Sequence, residues 1–319
     1  MTDLPARSIP IPTSVSGAAQ QVIAMGPLRP TRDYPPLDDL EAWRAMIKHE
    51  DEYMRSLIDG RVDTSAVEVE AVDFNGVPGF VVTPPELAAD DPRIYFDIHG
   101  GALILGGGEI CRLMGMLTAL RVQAKVWTVD YRMPPDHPYP APLDDCVAAY
   151  GAAVEQCGPQ NIVAGGASAG GNLVAAMLLR ARDEGLPLPA GAVLLTPEVD
   201  LTESGDSFQT NLGLDPLLTR SLMPANLLYA DGHDLRDPYL SPLFGDFTKG
   251  FPPTMISAGT RDLFLSNAVL MHRALRSAGV AAELHVMEAS GHGGFLGLAP
   301  EDGELDKELR RFVNDRWRN

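Results

Sequence analysis

Beyond residue 90 the chain alternates short apolar runs with longer helical stretches, and this alternation restricts the fold more than any other feature. Six runs read as strands: RIYFDIHG (93–100), KVWTVDY (125–131), NIVAGGAS (161–168), AGAVLLTP (190–197), TMISAGT (254–260) and AELHVME (282–288). Residues 112–123, 141–156, 169–184, 265–278 and 302–317 carry helical patterning in most of the gaps. Strands that alternate with helices pair in parallel, because the helix carries the chain back across the sheet, and both faces are then covered. Earlier, VEVEAVDF (67–74) alternates at strand period and PGFVVTP (78–84) follows an Asn75-Gly76 turn. That pattern predicts a hairpin forming the antiparallel edge. Residues 37–59 read as a helix, with Leu40, Trp43, Ile47, Met54 and Leu57 at helical spacing and Asp38, Asp39 and Glu41 at its start. The first 30 or so residues are rich in Pro, Ser and Thr and are expected to be irregular.

One interval breaks the rhythm. More than 50 residues separate the runs at 190–197 and 254–260. They hold a polar stretch, LTESGDSFQTN, a helical stretch around 219–230 and a Pro-rich return. A gap that long inside a domain usually holds an inserted functional element. The expected organisation is therefore an α/β core at 61–200 and 246–319, with a cap built from 1–60 and 201–245.

Composition narrows the partners. Hydrophobic residues make up 45% of 319 and charged residues 21%, enough apolar material for a large core. The formal net charge of −18 repels nucleic-acid phosphates and anionic lipid heads, so neither nucleic acid nor membrane is expected as a partner. No apolar run approaches the roughly 20 residues that cross a bilayer. The start of the chain lacks the apolar core of a secretory signal. Cys111, Cys146 and Cys157 are odd in number and match no metal spacing. Reduced thiols in a cytoplasmic protein are the expectation, with no disulfide framework, metal or other cofactor.

Gly166-Ala167-Ser168-Ala169-Gly170 fits G-x-S-x-G, lying directly after a strand and directly before a helix. A turn this tight pushes the serine to its tip, and the following helix N-terminus favours negative charge there. Outside that context the motif would be only a glycine-rich turn; within it, Ser168 reads as a nucleophile. His99-Gly100-Gly101-Ala102 follows the strand at 93–98. Its backbone N–H groups at Gly100, Gly101 and Ala102, with that of Ala169, suit an oxyanion hole. His99 itself reads as a residue that holds the loop. Among seven histidines, His292 lies in a glycine-rich loop after the last strand, where a base can project, whereas His285 falls inside a strand and His272 inside a helix. Asp262 follows the strand at 254–260 and completes the chain order Ser…Asp…His. A helix N-cap is its structural alternative, and Glu198 and Asp200 are the runner-up acids.

Taken together, HGGA (99–102), DYRMPPDHPYPAPLDD (130–145), GASAGGNL (166–173), DPYLSPLFGDF (237–247), FPPTMISAGTRDL (251–263) and GHGGF (291–295) resemble the bacterial hormone-sensitive lipase-like family of α/β-hydrolase esterases. The resemblance covers most of the chain beyond residue 90. It implies the α/β-hydrolase fold with a helical cap and hydrolysis of a small ester or lactone through an acyl-enzyme. Tyr131, Arg132 and His137 would be scaffold. Four positions depart from the family's common form: Ala102 for a third glycine, Ala167 for an aspartate, Leu263-Phe264 for Pro-Leu after the acid, and the extra Gly293. HGGALILGGG and the chain's end are similar to monoterpene ε-lactone hydrolases. An amidase or thioesterase could use the same residues, and the same fold serves as a non-catalytic receptor where the base is lost. Homodimerisation stays open.

Overall fold

In the computed structural model, residues 8–28, 33–58, 63, 65–85, 87 and 91–318 are described. Eight strands form one sheet in the order β1-β2-β4-β3-β5-β6-β7-β8. The strands are β1 (Glu68–Asp73), β2 (Pro78–Thr83), β3 (Ile94–Ile98), β4 (Val126–Val129), β5 (Ile162–Ala167), β6 (Gly191–Leu195), β7 (Thr254–Gly259) and β8 (Ala282–Met287). β1 and β2 pair antiparallel as the hairpin pattern predicts, and β2 is antiparallel to β4. Asn75 (φ 60) and Gly76 (φ 90) supply the two positive φ angles of its turn. β4, β3, β5, β6, β7 and β8 run parallel. β3 to β7 are buried almost throughout, which is why they read as continuous apolar runs instead of alternating ones.

Helices α3 (Glu109–Val122), α4 (Ala141–Cys157), α5 (Ala169–Asp183) and α8 (Leu265–Ser277) make the crossovers, and with the C-terminal α9 (Pro300–Trp317) they cover the faces. One core packs α4, α5 and α8 on one face through residues such as Phe96, Tyr150, Leu173, Met177, Ile256 and Met271. A second packs α3 and α9 on the other through Tyr95, Leu113, Met116, Val193, Met255 and Phe312. Helix α5 enters directly from the central strand β5, so the G-x-S-x-G turn stands at the carboxyl edge of the sheet's middle. Crevices at that edge are where open α/β sheets bind ligands.

The amino-terminal region differs from its sequence reading. Gly17–Ala24 forms a helix, α1, where irregular chain was expected. Its stability is tertiary and local at once. Ser16 caps it by accepting from the Ala19 N–H at 3.1 Å, and Glu301 accepts from the Ser16 N–H and hydroxyl at 2.7 and 2.9 Å. Ala19 and Val22 bury against Ala289, Phe295 and Ala299. Eight residues without such partners are too few to hold a helix in water.

Helix α2 (Leu40–Ile58) comes closer to its reading. Its Trp43 is fully buried against Ile104 and Leu105 and against Ala225 and Leu228 of the inserted region, and its indole N–H donates to Pro36 O at 3.0 Å. The insert is mostly irregular, with short helices α6 (Ser207–Thr210) and α7 (Met223–Ala230). The boundary expected at 60–61 lies outside the described residues. Trp43 thus joins three sequence-distant pieces. Replacing it, Trp43→Ala, is expected to cost about 3–5 kcal/mol, read as a fall in the urea midpoint against wild type.

Candidate active site

The site begins with the elbow. Ser168 has φ 58 and ψ −122, a conformation that β-carbons disfavour, and its N–H donates to Leu195 O at 2.9 Å. The turn is this sharp because its flanking glycines allow it. A Cβ on Gly166 would meet the backbone of Gly170 and Ile98 O, and one on Gly170 would meet the carbonyls of Ile98 and His99. Strand β3 can therefore pass against both arms of the elbow only where neither arm has a side chain. Ser168 itself serves as the N-cap of α5 without a side-chain capping bond, so its Oγ is left for chemistry.

The HGGA loop lies beside it. His99 is buried, its Nδ1 is 2.8 Å from Gly100 O, and its ring stacks on Tyr131 at 4.2 Å. The Tyr131 hydroxyl donates to His99 O at 3.0 Å. Arg132 in turn forks onto Asp145, at 2.7 and 2.9 Å. His99, Tyr131 and Arg132 are accordingly parts of the loop's support. Among the described residues, the N–H groups of Gly100, Gly101, Ala102 and Ala169 donate to no protein acceptor. Ala102 sits at φ 51, in the left-handed region where its methyl is a cost, and it packs against the apolar side of the site.

His292 and Asp262 meet as the sequence order predicts. His292 Nδ1 is 3.2 Å from Asp262 Oδ1, and both side chains are buried. Asp262 also accepts from the Phe264 N–H at 2.8 Å, so the contact to His292 and the helix-start acceptor fall on the same carboxylate. The departure to Leu263-Phe264 has a visible use: Phe264 packs edge-on against the His292 ring at 5.0 Å between centroids. A tight Gly291–Gly294 turn presents the histidine. The runner-up acids are occupied elsewhere. Asp200 accepts from Thr202 and Ser204 in its own turn. Glu198 accepts from Asn226 Nδ2 at 2.9 Å, while its N–H donates to Ser168 O at 3.2 Å. Ser168 Oγ makes no hydrogen bond to His292 in this structure.

Burial opposes charge on His292, but Asp262, Asp215 and Glu198 outweigh it and hold its pKa above the ordinary histidine value. Burial also pushes Glu198 up to about 8, so at and below neutrality it is mostly an uncharged acid and its share of that effect falls away. Asp215 escaped the sequence reading. It sits in the insert, where nothing but an Asp-Pro pair among leucines marks it, yet its carboxylate accepts from the His292 N–H at 2.7 Å. Tyr34 was missed likewise: it stacks on Trp43 at 5.6 Å, lies under Arg220 and borders Ala102.

One group of metal-ligand residue types occurs among the described residues: His99, Cys111 and Asp130, with ligand atoms within 4.8 Å of one another. The sequence spacing of 99, 111 and 130 fits no metal motif. Burial raises the Cys111 thiol well above its ordinary pKa, and Asp130 already accepts from the Gly108 N–H at 2.8 Å. A thiol held protonated is a poor metal ligand.

Residues 95–296 match the family described as alpha/beta hydrolase fold. The chain belongs to that family. This α/β hydrolase is 37% identical over 220 residues to an acetyl-hydrolase from Streptomyces hygroscopicus, covering 66% of this chain and 73% of that one. Its structure superposes on that of an esterase, E25, with a TM-score of 0.90 at 35% identity, covering 98% of both chains. A second solved structure, an esterase from the bacterial hormone-sensitive lipase family, gives 0.82 at 30% identity, covering 96% of this chain and all of the other. The family resemblance carried by the sequence motifs thus extends to the whole fold. No helix among the described residues is long and apolar enough to cross a membrane.

Because Asp262 heads the groups that raise His292, the variant Asp262→Asn is expected to lower the histidine's titration midpoint. A histidine-selective NMR titration checks this, with His292→Gln assigning the resonance; an unmoved midpoint would contradict the pairing.

Proposed function

We propose that this α/β hydrolase cleaves carboxylic esters through an acyl-enzyme, with Ser168 as nucleophile, His292 as base and Asp262 as the acid that orients it. Two observations carry the reading: the buried Asp262–His292 pair and the strained elbow conformation of Ser168. Hydrogen bonds of a resting site often tighten only when substrate is bound, so Ser168 Oγ would close onto His292 Nε2 in the complex. As Oγ attacks the ester carbonyl, His292 takes its proton, and Asp262 holds the Nδ1–H and the resulting imidazolium. The free N–H groups of Gly101, Ala102 and Ala169 would receive the oxyanion, with Gly100 completing the loop. His292 then protonates the leaving alkoxide, and water releases the acyl group by the reverse sequence. The relatives' names, acetyl-hydrolase and esterase, support this reaction class.

The apolar residues around the site support a small acyl group. Leu218, Leu222, Phe208, Leu263 and Phe264 pack together with Tyr34 and Ala102. Trp43, by contrast, is spent on packing, and Leu227 is exposed, so neither shapes this wall. A cap made from residues 1–60 and 201–245 would close over this wall, with Tyr34 from one piece and Leu218 and Leu222 from the other. A wall of fixed volume rewards acyl groups that fill it, each fitted methylene being worth about 1–3 kcal/mol, and rejects those that overrun it. Esters of about C2 to C8 acyl length, or medium-ring lactones, are the substrates this favours over long-chain triglycerides. The cysteines are free, which supports a reducing compartment such as the cytoplasm. A homodimer is compatible with all of this and is tested by solution mass.

Two measurements test the reading. Ser168→Ala is expected to lower turnover of a chromogenic short-acyl ester by at least about 10³-fold with the fold retained, and a phosphonate should label wild type once, at Ser168. Labelling at another residue would overturn the assignment. Across a series of acyl lengths, kcat/KM should peak and then fall. A continuous rise to C16 with activation at an oil–water interface would instead indicate a true lipase.

A further inference from the structure

We infer that Asp215, carried by the insert and not by the core, is a positioning residue for His292, so that the cap segment is itself part of the catalytic machinery. This rests on the Ser168–His292–Asp262 reading above. The geometry is specific. Asp215 is almost fully buried, and its two carboxylate oxygens divide their work. Oδ1 accepts from the N–H groups of Leu217 and Leu218 at 2.8 and 2.9 Å, which closes a turn in the insert. Oδ2 faces the core, accepting from the His292 N–H at 2.7 Å and, more weakly, from the Leu263 N–H at 3.4 Å. One carboxylate thus ties the backbone of the base to the backbone just past its orienting acid. The fit leaves no slack: a Cβ on Gly291 would collide with Pro216 and crowd the Asp215 carboxylate. The insert is anchored from outside as well, since Pro216 O accepts from the Leu28 N–H at 2.9 Å.

The charge matters beyond the hydrogen bonds. Three carboxyl groups face His292: Asp262 after β7, Glu198 after β6 and Asp215 from the insert. Burial holds Glu198 as an uncharged acid near neutrality. Asp262 and Asp215 are then the two that stabilise the imidazolium when the base takes its proton. Asp215 is raised from the usual carboxylate range by burial, while the charged histidine pulls it back. A group whose neighbour's charge stabilises its protonated form loses proton affinity when that neighbour is neutralised. Removing the Asp215 charge therefore lowers the His292 pKa.

Two variants separate this role from simple packing. Asp215→Asn keeps the shape, removes the charge and can set a donor against the His292 N–H. Asp215→Ser keeps a hydroxyl able to close the Leu217–Leu218 turn but leaves nothing to reach His292. Both are expected to shift the His292 resonance midpoint downward in a histidine NMR titration, and to move the acidic limb of the kcat/KM profile the same way. Both should lower kcat by about 10- to 100-fold, the scale of loss for a misplaced catalytic group, with KM changed far less. The NMR titration reads His292 without turnover, and phosphonate labelling of wild type at Ser168 checks the underlying triad separately. An unmoved midpoint in both variants, or a loss of kcat that merely tracks a loss of thermal stability, would overturn the positioning role.

Discussion

The close approach of β3 to the two arms of the Ser168 elbow is the constraint on which the remaining site depends. Gly166 and Gly170 face the carbonyls of Ile98 and His99 with no room for a side chain. That contact fixes two things at once. It holds Ser168 in its strained conformation at the tip of the turn, and it sets the HGGA loop, which continues from β3, beside the N-terminus of α5. The proposed nucleophile and the proposed oxyanion donors are therefore placed by one packing event. The strain at Ser168 survives because β5, α5 and β3 together over-determine the backbone there.

The proposed base, His292, is held differently. His292 sits buried on a glycine turn, and its position comes from polar and aromatic neighbours. Asp262 takes the ring nitrogen, Phe264 meets the ring face edge-on, and Asp215 takes the backbone N–H. The cost of burying a cation is met by these carboxylates instead of by solvent, which is why the ring can be buried and still be more basic than a free histidine. The departure from Pro-Leu to Leu263-Phe264, which in the sequence looked like a weakened motif, supplies an aromatic wall for the base.

The amino-terminal region and the insert meet at Trp43 and again at Tyr34, and both border the HGGA loop through Ala102. Asp51 of α2 also accepts from the Gly106 N–H at 3.0 Å, just downstream of that loop. The segments outside the core sheet thus support the site from two sides. Asn172 of α5 adds a third tie, donating to Glu198 O and to Leu240 O in the return of the insert.

The sequence by itself determined the parallel sheet, its antiparallel hairpin edge, the serine elbow, the glycine loop, and the order of serine, acid and histidine. These are encoded in local periodicity and in short motifs whose residues are neighbours in the chain, so they are legible without any knowledge of packing. It also favoured Asp262 over Glu198 and Asp200 by position alone. What only the tertiary structure decided depends on contacts between distant residues. α1 exists because Glu301, Phe295 and Ala299 receive it, and a helix of eight residues is too short to leave a clear periodic trace. Tyr34 in a Pro-rich stretch and Asp215 among the leucines of the insert carry no local signal of their place beside the site. Their places come from burial against residues far along the chain, where low polarity turns an ordinary turn aspartate into a group that bears on the charge of His292.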